Sequence, residues 1–128
     1  MKKIFLCIPL LSAVACANQA AEFSNAKVTN NGSDKPNSLC QNFQLTNQEA
    51  LTFFTKAKPI EIIELHNQYD YLPCYVKGTI ALNKEDSTKK IICDFNIRAG
   101  GTAELTCGNE ETTFYGCKKC KNLLKDKP

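Results

Sequence analysis

Apolar positions change their period three times along this chain, and each period marks a different kind of element. Ile4 to Ala15 is an almost unbroken apolar run, with Ser12 its one polar residue. The following stretch, ANQAAEFSNAKVTNNGSDKPN, is polar and poor in large apolar side chains. Around LTNQEALTFFTKA the spacing becomes helical: Ala50, Phe53, Phe54 and Ala57 fall on one broad face. Thr46 and Glu49 have the spacing of a capping box, Leu45 can staple onto Ala50, and Pro59 stops the helix. IEIIEL, residues 60–65, fits a short strand or a helical turn, and HNQYDYLP is a turn-rich link.

From Cys74 the apolar residues alternate. CYVKGTIALN, KKIICDFNIR, TAELTC and TTFYGC read as strands, separated by turns at KEDST, AGG and GNEE. Cys74, Val76, Gly78, Ile80 and Leu82 share a face in the first; Ile91, Cys93, Phe95 and Ile97 do in the second. If the Ala99-Gly100-Gly101 turn sets Arg98 opposite Thr102, then Ile97 meets Ala103, Phe95 meets Leu105 and Cys93 meets Cys107. Every such pair is apolar on apolar, which favours this register and a cross-strand Cys93–Cys107 disulfide. The expected fold is α+β: an N-terminal helix packed on a four- to five-stranded antiparallel meander, stapled by disulfides.

The first apolar run is too short to span a bilayer as a helix, which takes ~20 residues. With Lys2 and Lys3 before it and small residues at its end, it reads as a secretory signal over residues 1–15, or to 17. Ala13-Val14-Ala15-Cys16 resembles the lipobox of bacterial lipoproteins, with Ala13 where Leu is usual, and would make Cys16 the lipid attachment site. An ordinary cut after Ala17 is the rival. Residues 16–39 have the composition of a flexible tether, and 40–128 form one small domain. By resemblance to enterobacterial lipoproteins, Ala17 after the cysteine permits outer-membrane sorting.

Either cut leaves Cys40, Cys74, Cys93, Cys107, Cys117 and Cys120, an even set that suits disulfides in an oxidising compartment. Losing Lys2 and Lys3 brings 16 basic residues to 14 against 13 acidic, so net charge gives no argument for nucleic acid. Lys118, Lys119, Lys121, Lys125 and Lys127 read as a solvated tail ahead of an anionic-surface contact.

Four features invite chemistry. GCKKC at 116–120 offers a Cys-x-x-C with basic residues between, but only eight residues follow it, so structural disulfides are the preferred reading. His66, with Glu64 and Asp70 nearby, is the lone histidine and reads as a surface or capping residue before a general base. Arg98, the lone arginine, can pair with Glu104 across its strand face. Tyr69, Tyr71 and Tyr75, beside Pro73 and Cys74, form the best candidate binding surface, with Tyr75 the expected exposed ring. No nucleotide loop or metal array is visible, and no cofactor is expected.

The layout resembles small cysteine-rich exported proteins of Gram-negative bacteria, through PCYVKGT, CDFNIRAGGTAEL and the terminal Cys-x-x-C, over residues 45–120. That resemblance carries no activity. The expectation is a non-enzymatic protein-binding or structural module of the cell envelope. It would be outer-membrane-anchored in the periplasm, or soluble and secreted if unlipidated. Its partner would be an envelope protein, and the lipid its only membrane contact. The alternatives are an immunity-like inhibitor of a periplasmic toxin or hydrolase, and an envelope thiol-disulfide protein using Cys117 and Cys120.

Overall fold

A computed structural model describes residues 22–36, 40–83 and 88–124. The leader, Cys16 and both cleavage sites lie outside the described residues, as do the turn at 84–87 and Lys125 and Lys127. In chain order the elements are β1 (Glu22–Ser33), α1 (Asn47–Lys56), β2 (Lys58–Ile60) and α2 (Ile62–Gln68). Then come β3 (Cys74–Asn83), β4 (Lys90–Arg98), β5 (Thr102–Cys107), β6 (Thr113–Gly116) and a 3₁₀ turn at Lys118–Cys120.

Strands β3 to β6 are the expected meander. Ile97 faces Ala103, Phe95 faces Leu105 and Cys93 faces Cys107, as the Gly-Gly turn requires. Gly101 has φ +101°, a backbone state that side chains with a Cβ rarely take. The sheet is larger than expected, with six strands in the order β1-β3-β4-β5-β6-β2 and antiparallel pairing throughout.

Two corrections concern its edges. Residues 22–33, expected within a flexible tether, form β1 and pair with β3, so the helix follows a strand and does not begin the fold. The strand holds because Phe23, Ala26 and Val28 reach the core while its polar residues need no burial. Register shifts at Ser24/Lys27 and Val28/Asn30 bend it, and the Val28 N–H goes to Asn47 Oδ1 at 2.8 Å. Bulges of this kind blunt an edge strand. At the other edge, β2 pairs with β6 through Lys58, Pro59 and Ile60. Proline is tolerated there because an edge strand has one side without a ladder partner. The ambiguous segment 60–65 divides: Ile60 closes β2, and Ile62 opens α2.

The α1 N-terminus carries the full capping box, with Glu49 N–H on Thr46 Oγ1 and Thr46 N–H on Glu49 Oε1. Its buried face, Ala50, Phe53 and Phe54, lies against the sheet. Phe54 is the hub. Its ring centroid lies 5.2 Å from those of Phe23 and Phe53 and 5.6 Å from those of Phe95 and Tyr115. Side chains from β1, β4 and β6 thus converge on one helical residue. Each such ring contributes ~1.5–3 kcal/mol by leaving water. Pair geometry adds ~0.5–1.5 kcal/mol.

Among the described residues three disulfides close the domain: Cys40–Cys74, Cys93–Cys107 and Cys117–Cys120. The first ties the chain before α1 to the start of β3. The second spans β4 and β5 within the core. The third joins the two ends of the Cys-x-x-C. Among the described residues, no helix is long and apolar enough to cross a membrane.

Candidate binding surface

The sheet has a second face, turned away from α1. Alternation with the buried Val76, Ile80, Phe95, Ile97, Ala103 and Leu105 puts Tyr75, Lys77, Thr79, Asp94, Asn96, Arg98, Glu104, Thr106 and Phe114 there. At one end of this face Arg98 organises the surroundings. It stands opposite Tyr75 in the β3–β4 register. Its Nε donates to Glu104 Oε2 at 3.2 Å, the expected partner, and its Nη1 to Asp34 Oδ2 at 2.6 Å. Asn96 holds the other Glu104 oxygen at 3.2 Å.

Two tyrosines share this guanidinium. It sits 5.5 Å from the Tyr71 ring centroid and 5.9 Å from that of Tyr75, within cation–π range. The Tyr71 hydroxyl donates to Asp34 Oδ2. That bond first, and the Arg98 guanidinium with it, holds Asp34 below the ordinary carboxylate range. The same bond pushes the Tyr71 phenol up. Lys77 Nζ lies 5.0 Å from the Tyr75 centroid, and the Tyr75 ring covers the bare backbone of Gly32.

Tyr69 does a different job. Its hydroxyl lies where a Cβ on Gly116 would be, 2.4 Å away. Lys118 Nζ sits 4.4 Å from its ring centroid and donates to the Gln68 carbonyl. Burial first, then the charge of Glu64, raises its pKa. Its hydroxyl is buried with no hydrogen-bond partner among the described residues. At Gly100, a Cβ would come within 2.2 Å of the Asp70 carbonyl oxygen. The loop 69–73 is therefore seated directly on the backbone of the β4–β5 turn and the end of β6. Cys40–Cys74 pins the residue that follows it.

The expected tyrosine trio thus separates. Tyr71 and Tyr75 belong to one cluster, and Tyr69 is packing beneath their loop. Tyr75 is half-buried, whereas Tyr71 is 62% exposed, reversing the expected exposure. The cause is Gly32, which leaves room for the Tyr75 ring to lie down on β1. Asp34 gave no signal in the sequence, because it stands in a stretch that reads as tether.

The remaining candidates are set apart from this cluster. His66 is exposed on α2, a helix with no buried residue, where Ile62 and Ile63 are also exposed. Cys117 and Cys120 are bonded and almost wholly buried, at 4% and 1% exposure, whereas working exchange thiols are accessible. Among the described residues, no group of three His, Cys, Asp or Glu side chains is placed to hold a metal ion.

Comparison with protein-family models, with curated proteins and with solved structures finds no match for the chain.

Proposed function

We propose that this chain is an exported binding protein of the bacterial cell envelope, held at a membrane by a lipid on Cys16. It works by protein contact through Tyr71, Leu72 and Tyr75. The observation that carries this reading is the exposed Tyr71 fixed at ring and hydroxyl by Arg98 and Asp34. A ring held in this way brings large contact area and loses little conformational entropy on binding. Leu72, 42% exposed, stands next to it and adds apolar surface. Arg98 already serves two carboxylates, so it orients the rings and is not free to seek a partner's acid. Tyrosine is among the residue types on which binding energy concentrates at protein interfaces. The leader and the even cysteine set support export, since disulfides persist outside the cytosol.

The test is site-specific photo-crosslinking in producing cells, with the reactive group in place of Tyr71, of Leu72, or of Lys56 at the exposed end of α1. A discrete adduct from positions 71 and 72, absent from 56, is the expected result. No adduct from 71 or 72, or the same adducts from all three, overturns the reading. Fractionation of a Cys16→Ala variant tests the anchor separately, with release from membranes expected.

A further inference from the structure

The face that bears Arg98 is covered by loop 69–73 at one end and left open across its middle. There it forms a groove of about 610 Å³ reaching from β1 to β6. Small-molecule sites fall in this range, ~300–1,000 Å³. The pairing of the strands fixes its floor as two rows. One is Thr79, Asp94 and Thr106, directly opposite one another across β3, β4 and β5. The other is Lys77, Asn96, Glu104 and Phe114, from β3 to β6.

This lining selects its ligand by chemistry. Threonine hydroxyls both donate and accept, those of Thr106 and Thr112 being already bonded to each other at 2.8 Å, while Asp94 accepts and Lys77 donates; Asn96 is taken up by Glu104. Such a mixture matches groups that themselves donate and accept, which is to say hydroxyls. Glu104 is already held by Arg98 and Asn96, which leaves Asp94 against Lys77 and no surplus of positive charge to favour a phosphate or other anion. Polar walls disfavour an apolar molecule. An added peptide strand would need an open sheet edge, and both edges are blunted, by bulges in β1 and by Pro59 in β2. Adjacent strands stand ~4.8 Å apart, about the length of one pyranose ring, so the row Thr79, Asp94 and Thr106 offers one polar group per ring to a chain of sugars. Asp94 is exposed and has no ion-pair partner among the described residues. Phe114 closes the second row with a flat apolar surface suited to the C–H face of a sugar.

We propose that this groove binds a neutral pyranose oligosaccharide, with Asp94 and its flanking threonines on the hydroxyls and Phe114 against a ring. The groove borders the Arg98 cluster and shares Lys77, Asn96 and Glu104 with it, but its ligand groups Asp94, Thr79 and Phe114 are not among the residues of the tyrosine surface, Tyr71, Leu72 and Tyr75.

Titration of the isotope-labelled, disulfide-intact protein by amide NMR tests it, with chitotetraose, cellotetraose and maltotetraose as probes. The expected result is saturable shifts with at least one probe, centred on Thr79, Asp94, Thr106 and Phe114. Asp94→Ala and Phe114→Ala should each weaken binding about tenfold, the size of a lost hydrogen bond to a charged group or a lost ring contact. Lys56→Ala, at the exposed end of α1 and away from the groove lining, should leave it unchanged. If Phe114→Ala fails to fold, as its own spectrum would show, Asp94→Ala decides. No saturable shift with any probe overturns the proposal. So do shifts confined to other residues, undiminished binding by Asp94→Ala, or stronger shifts of the same amides with inorganic phosphate or tetralysine.

Discussion

Arg98 and Asp34, 64 positions apart in the chain, meet at 2.6 Å, and the Tyr71 hydroxyl bonds the same aspartate oxygen. This three-way contact fastens the segment after β1 to the end of β4 and to the tyrosine loop. Asp34 N–H on the Pro73 carbonyl at 3.0 Å adds a backbone tie between the first and last of these.

Carbon-detected NMR titration of the Asp34 carboxyl should find it below its ordinary value of 3.8, and nearer that value in Tyr71→Phe. The sign for stability follows. Asp34 is depressed, so its contribution is complete above the ordinary carboxylate value and is lost as pH falls through the lowered one. Tyr71 is raised, so its contribution is complete below the ordinary value of 10.0 and is lost as pH rises through the raised one. The melting difference between wild type and Tyr71→Phe should therefore be flat from about pH 5 to 9 and close at both ends. A difference that grows toward acid would contradict the shared bond.

Phe54→Ala should cost about 3–5 kcal/mol, enough to threaten folding of a domain this small. Four rings lose their common neighbour, and the cavity opens between the helix and three strands. Phe23→Ala, at a half-buried edge position, should cost less. Urea unfolding of the two variants gives the ranking, and equal midpoints would show that Phe54 is not the hub.

What the sequence made legible was whatever kept its period. β3 to β5 alternate over full strand lengths, and the Gly-Gly turn leaves one register that puts Cys93, Phe95 and Ile97 against Cys107, Leu105 and Ala103 in the core, with Ile92 the exposed exception. The capping box announced α1. β1 was hidden because its register shifts at Ser24/Lys27 and Val28/Asn30 break the alternation a strand is recognised by. β2 is three residues long and contains a proline. α2 buries nothing, so it has no amphipathic stripe to detect. The binding cluster was half legible for the same reason. Arg98, Glu104 and the tyrosines lie on or beside periodic strands, while Asp34 enters only through the edge strand that the pattern conceals.

The disulfides should differ in their contribution according to the chain they close. Cys40 and Cys74 are 34 positions apart, Cys93 and Cys107 are 14, and Cys117 and Cys120 are 3. Loop-closure entropy then gives about 4, 3 and 2 kcal/mol respectively. Removing each pair by double alanine substitution and measuring denaturant midpoints should return this order. Intact mass of the native protein should show no free thiol among these six. Loss of Cys40–Cys74 should also raise the mobility of Tyr71 and Tyr75, because Cys74 anchors the strand on which Tyr75 stands.

Gly116→Ala tests the seating of the tyrosine loop from below. The new methyl would fall 2.4 Å from the Tyr69 oxygen and 2.6 Å from its ring carbon Cζ, closer than real Cβ contacts come. The ring must swing outward, since Gly116 is held in the β5–β6 and β2–β6 pairings and its backbone cannot easily give. Overpacking of this kind costs about 1–3 kcal/mol. The displacement has its own signature: Tyr69 owes its raised pKa first to burial, so its phenol should titrate nearer the ordinary value in the variant. Alkaline difference absorbance, with Tyr69→Phe to assign the transition, measures this. An unchanged titration together with unchanged stability would mean the ring does not rest on Gly116. If the ring does move, the loop it supports loosens with it, and crosslinking from position 71 should weaken although neither Tyr71 nor Arg98 has been altered.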